Sequence, residues 1–121
     1  MCFKWIEYKG AKILYQDLPG GGLADVAQLE REFVTIREII LAQPLNSVRV
    51  LTNFQASYFS KDLLDVMVNH SRLTAPYIKK MAAVGVNGPK RIMTGMVERL
   101  SGQSMTLFDN AQTAQEWLAN G

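Results

Sequence analysis

The hydrophobic period of this chain switches repeatedly between that of a strand and that of a helix, and few folds accept such a pattern. From residue 23 to 41, Val26, Leu29, Phe33, Ile36 and Ile40 recur every three or four positions, which places them on one face of a helix. Ala27, Val34 and Leu41 widen that face, while Asp25, Gln28, Arg31, Glu32, Thr35 and Glu38 fall towards water. Pro44 disfavours helical geometry in the residue before it, so the helix ends near Gln43. Residues 48–52 are short and β-branched, and read as a strand. Ser60 then offers an N-cap, with Asp62 in the first turn, to a helix carrying Leu63, Leu64, Val66, Met67, Val68 and Leu73. It breaks around Pro76. Residues 81–86 hold almost no polar side chain, as in a parallel strand buried on both faces. Pro89 suits the first turn of a third helix, with a stripe of Ile92, Met93, Met96, Val97 and Leu100 and a stop at Gly102. Residues 104–108 make a last strand, and Asp109 or Asn110 caps a final helix ending at Ala114, Trp117 and Leu118.

Ahead of this alternation lie two short aromatic and aliphatic segments, 3–8 and 12–18, joined at Lys9-Gly10. A tight hairpin turn fits there, because glycine tolerates positive φ. Pro19-Gly20-Gly21-Gly22 then ends the strand in a mobile loop. A hairpin followed by alternating strands and helices implies an α/β fold with a mixed, mostly parallel sheet covered by helices and right-handed crossovers. Phe33, Ile36, Ile40, Val50, Val84, Val86, Ile92 and Met96 should form its core. Three strands running the same way would release Asn53, Asn87 and Asp109 at one rim, shared with Ser60 and Lys90.

With 121 residues the chain suits one domain over 1–121, and 48% apolar residues suffice for a core. The 13 basic and 11 acidic residues leave a net charge of +2, too little for the basic field of a nucleic-acid binder. Ile39-Ile40-Leu41-Ala42 is the longest apolar run, against the roughly 18 residues that span a bilayer, so no integral membrane protein is expected. Lys4, Glu7 and Lys9 interrupt any signal sequence. Cys2 is the sole cysteine, which rules out an intrachain disulfide and a cysteine-based zinc site. The default location is cytoplasmic.

Several stretches, in order from about residue 10 to 118, resemble the SpoIIAA-like branch of the STAS-like domains. They are Ile13-Leu14-Tyr15-Gln16-Asp17, Gln43-Pro44 leading into Ser47-Val48-Arg49-Val50-Leu51-Thr52-Asn53, and Pro76-Tyr77-Ile78-Lys79-Lys80 leading into Ala83-Val84-Gly85-Val86. Arg99-Leu100-Ser101-Gly102 and the ending from Phe108-Asp109 to Ala114-Gln115-Glu116-Trp117-Leu118 fit as well. The resemblance implies a small domain of mixed sheet and helices that serves as a bacterial protein-interaction module. In the anti-sigma-factor antagonists of that family, a serine in an Asp-Ser-(Ser/Thr)-Gly motif after a central strand is phosphorylated to switch partners. The matching stretch here, from Asn53 through Phe54, Ser57, Tyr58 and Phe59 to Ser60, lacks that motif. The phosphoswitch is therefore not carried over. Part of the branch also bears a name taken from lipid carriers, an analogy of fold alone.

Catalysis needs acid, base or nucleophile groups converging in one pocket, and no such constellation stands out. His70, four residues after Val66 and three before Leu73, reads as a helix residue at the edge of the core. No carboxylates accompany it at ligand spacing, so no metal is expected. No Gly-x-Ser-x-Gly elbow supports a triad. Gly20-Gly21-Gly22 lacks the spacing of a phosphate loop and reads as a flexible turn. Asn87, Gly88, Lys90 and Arg91 lie at a helix N-terminus, where anions bind readily; a turn with a solvated basic flank is the plainer reading. Met67, Met81, Met93, Met96 and Met105 read mainly as core filling. Open α/β sheets bind at the carboxyl ends of their strands. The expected working surface is thus the loop and helix 53–70, with Asn53, Phe54, Ser57, Tyr58, Phe59, Ser60, Leu64 and Val68 meeting a protein partner. No cofactor is expected, and the protein reads as non-enzymatic. The alternative is a carrier holding a small apolar or lipid-like ligand between the Met-rich helices and the sheet. Exposed Leu64 and Val68 beside Tyr58 would favour docking, and a closed apolar cavity of several hundred Å³ would favour carriage.

Overall fold

Two short strands, β1 (Phe3–Tyr8) and β2 (Ala11–Asp17), open the fold as an antiparallel hairpin. Its turn residues Lys9 and Gly10 have φ of 49° and 81°, and two successive positive φ values give the twist that flanking strands accept. This computed structural model describes residues 3–121; Cys2 lies outside them. The chain continues through α1 (Leu23–Leu41), β3 (Val48–Asn53), α2 (Lys61–Thr74), β4 (Ile78–Val84), α3 (Pro89–Ser101), β5 (Thr106–Phe108) and α4 (Ala111–Ala119). The sheet order is β1-β2-β3-β4-β5, and every pair after the hairpin is parallel. The α/β fold with a mixed, mostly parallel sheet is as expected.

This order explains the layering. Each crossover from β2 to β5 steps one strand in the same direction, so right-handed connections put α1, α2 and α3 on one face. Only α4 returns over the other, where it meets all five strands. The two-residue alternation divides the strand side chains accordingly. Leu14, Val50, Met81 and Ala83 pack under the three helices with Val26, Leu29, Phe33, Ile36, Met67, Met93 and Val97. Ile13, Leu51, Ala82 and Val84 pack against Ala114 and Leu118 of α4. Lys80 fastens the far end of that helix, donating to Trp117 O at 2.8 Å and to Asn120 O, with its ammonium over the Trp117 ring. Tyr8 and Lys9 donate to Glu116 at 2.6 and 2.8 Å and tie α4 to the hairpin.

Some expected boundaries and core positions differ. β4 starts at Ile78 and stops at Val84, because Gly85 turns off with φ of 74°. β5 starts at Thr106, since the Met105 N–H goes to the Glu98 carboxylate rather than to a strand. Phe33, Ile36, Ile40, Val50 and Val84 are buried, and Val86 and Met96 are half-buried against the core. Ile92 is 63% exposed. α3 turns only Met93, Thr94 and Val97 fully inward, and Ile92 lies a third of a turn away. Ala27, Val34 and Leu41 are likewise on the outer side of α1. Among the described residues, no helix is long and apolar enough to cross a membrane.

Candidate functional site

All loops that follow the parallel strands leave the sheet at one rim. β4 and β5 are neighbours, but the helix after β4 packs on one face and the helix after β5 on the other. Diverging connections of this kind open a crevice at the carboxyl ends of the strands. Here it has a volume of about 380 Å³ and is lined by Tyr15, Asn53, Gln55, Asn87, Lys90 and Asp109, together with Val84 and Gly85. The expected rim is therefore real for Asn53, Asn87, Lys90 and Asp109. Ser60 is not part of this lining; it lies next to Gly21 of the β2–α1 loop.

Hydrogen bonds hold the crevice walls. The Tyr15 hydroxyl donates to Asp17 Oδ1 at 2.7 Å, and the Asn53 amide donates to the same oxygen at 3.0 Å. Partial burial, and then that bond to Asp17, raise the Tyr15 pKa above 10.0, so the phenol stays a donor. Asn53 Oδ1 accepts from the Gln55 N–H at 2.9 Å and turns the chain. Sequence reading missed this cluster. The signal was there in period two, since Tyr15 and Asp17 share a face and Asp17 is the register partner of Asn53.

The loop between β3 and α2 is built around an inward anchor. Phe54 is fully buried and its N–H donates to Val84 O at 2.9 Å. Ser57 is buried as well, its hydroxyl donating to Phe54 O at 2.9 Å. Lys90 crosses from α3 and donates to the carbonyls of Phe54, Gln55 and Gly85 at 2.9, 3.2 and 3.3 Å. At Gly85 a Cβ would stand 2.7 Å from Gln55 N, so the two loops touch backbone to backbone. Ser60 accepts from Leu63 N at 3.1 Å as the N-cap of α2. Between these fixed points Tyr58 and Phe59 project, 55% and 38% exposed. Tyr58 lies against the glycine run, where a Cβ on Gly21 would be 2.7 Å from Tyr58 O and 3.0 Å from its ring. Gly20-Gly21-Gly22 thus serves as a bed for Tyr58 rather than as a free turn.

Four of the eight docking candidates prove to be core. Phe54 and Ser57 fill the space under the loop, and Leu64 and Val68 are 6% and 8% exposed. The reason is that α2 is the middle helix, packed against α1 on one side and α3 on the other, so most of its circumference is covered. Asn53, Tyr58, Phe59 and Ser60 remain at the surface. At the anion-binding candidates, Lys90 and part of the backbone are already engaged. Lys90 is spent on three carbonyls, and the N–H groups of Lys90 and Arg91 donate to Asn87 O and Gly88 O at 3.1 Å. Asn87, Gly88 and Arg91 stay exposed.

His70 is buried, stacked on Phe33, with Nδ1 3.4 Å from the Arg37 guanidinium. Burial, and secondly that cation, push its pKa down to about 3, so it is neutral in water near pH 7. Among the described residues, no three His, Cys, Asp or Glu side chains gather as a metal site. Met67, Met81, Met93 and Met105 are buried in the core as expected. Among the described residues, two small voids between the helices and the sheet measure about 10 Å³ each.

The structure is similar to that of an uncharacterised protein of the DUF3478 family with a SpoIIAA-like fold, from Shewanella loihica PV-4. The match covers 97% of this chain and 92% of that one, at a TM-score of 0.64 and 15% sequence identity. This chain has the SpoIIAA-like fold. No family model matches it, and neither does any curated protein sequence. At this identity the likeness speaks for architecture alone. In the loop carrying Tyr58 and Phe59, Ser57 is buried and Ser60 is a helix cap.

Proposed function

We propose that this chain is a single-domain, non-enzymatic interaction module that works in the cytoplasm and docks a protein partner at the carboxyl rim of its sheet. One observation carries the reading. Tyr58 and Phe59 stand exposed on a loop whose backbone is held by Phe54, Ser57, Ser60 and Lys90. Aromatic side chains fixed in place before binding lose little entropy on association and are the usual anchors of protein interfaces. The polar crevice beside them, with Asn53, Gln55, Asn87 and Asp109, supplies hydrogen-bonding groups for the rim of such an interface. Carriage of an apolar ligand has less behind it, because voids of about 10 Å³ are water-sized.

The test is to place a photo-crosslinking residue at Phe59, identify the captured protein from its host, and measure that partner's Kd with purified components. Tyr58→Ser/Phe59→Ser should keep the wild-type Tm within a few degrees. It should weaken binding roughly 30-fold or more, the loss expected of one interface hot spot. A folded double variant with unchanged Kd would sink the proposal.

A further inference from the structure

Gln16 on β2 and Thr52 on β3 are register partners on the face under α1 and α2. Both are almost completely buried, at 3% and 1% exposure. Gln16 Oε1 and Thr52 Oγ1 have no hydrogen-bond partner within the protein. Buried polar atoms in folded chains nearly always have a partner, and where the protein supplies none an ordered water or a ligand does.

Two voids of about 10 Å³ each adjoin these atoms. Gln16, His70 and Ser71 line both; Thr52 lines the first and Gln103 the second. The remaining walls are apolar apart from Thr74, whose hydroxyl is already bonded to His70 O. An apolar void of this size would stay dry, whereas one offering two to four polar partners holds a water. Each volume is about that of one water centre. No carboxylate, lysine or arginine lines either void, so an ion would enter without a countercharge.

We propose that each void is a binding site for one water molecule, and that the pair joins Gln16 and Thr52 of the sheet to His70 and Ser71 of α2. The site shares no lining residue with the crevice at the docking rim. It turns what reads as a polar defect in the core into a hydrogen-bonded layer, which is the common use of buried water.

Two measurements decide it. Water-to-protein Overhauser NMR on the wild-type chain should show long-lived water at the methyl groups of Met67 and Met81, which line the voids and carry no exchangeable proton. Thr52→Val keeps the shape of the side chain. With water bound, it strips that water of a partner, and Tm should fall by a few degrees. In a dry core the same change deletes an orphaned hydroxyl, and Tm should rise. Absent water contacts at both methionines, or a Tm that rises in Thr52→Val, overturns the proposal.

Discussion

The His70 ring lies flat against Phe33, with centroids 3.8 Å apart and planes 8° from parallel. Helix α2 thus presents an ionisable group to α1 in a layer without room for its charge. Its pKa of about 3, against an ordinary 6.5, has a consequence for stability. Between those values the unfolded chain binds a proton that the folded chain refuses. Stability should therefore be complete above about pH 6.5 and decline as the pH falls towards 3, by up to about 4 kcal/mol. Thermal melts of wild type and His70→Phe from pH 7 to 4 measure it. The wild type should lose Tm faster, and parallel profiles would clear His70 as the cause.

Lys90 is a prediction about the loop. Its ammonium gathers three carbonyls from two connections, so Lys90→Met leaves those oxygens to water or to nothing. The cost should be about 1–2 kcal/mol in urea unfolding, with faster hydrogen exchange confined to residues 54–60. A stability loss without that local change would mean the lysine acts elsewhere.

Two glycines should respond in opposite directions to the same substitution. Gly85 has φ of 74° and backbone atoms of Gln55 where a Cβ would go. Gly85→Ala should cost about 2 kcal/mol or more, from strain and displacement of the loop. Gly95 sits inside α3 with open space around it, and Gly95→Ala should stabilise by roughly 0.5–1 kcal/mol. Denaturant melts of both variants suffice, and a stable Gly85→Ala would refute the close contact.

These cases mark what a linear reading reaches. The inner face of α1 was legible, because Val26, Leu29, Phe33, Ile36 and Ile40 repeat over about four turns of helix. So were the caps, since Ser60 and Asn110 each bond a backbone N–H three residues on. These are local facts. Ile92 failed because the apolar stripe of α3 is wider than the face the sheet uses, and periodicity does not say which half turns inward. Leu64 and Val68 failed for the opposite reason: α2 has helices on both sides, and neighbours are not written in a helix's own period. Lys90 looked like a free cation because two of its three carbonyls lie 35 and 36 residues away in sequence.

Ser57 is buried with its hydroxyl on Phe54 O, and Ser60 holds the first turn of α2. The Ser57 hydroxyl is shielded from a kinase, and that of Ser60 is engaged with Leu63 N. A phosphate on Ser57 would have to push the loop out of the core, whereas one on Ser60 would replace the cap while crowding Tyr58 across Gly21. Ser57→Ala and Ser60→Ala should each cost about 1 kcal/mol of stability, one hydrogen bond or one cap. Docking should survive both and disappear in Tyr58→Ala/Phe59→Ala, because the contact relies on aromatic area. Affinity measurements with the captured partner decide between the two. Loss of binding in a folded serine variant, with the aromatic pair dispensable, would restore a serine switch at this rim.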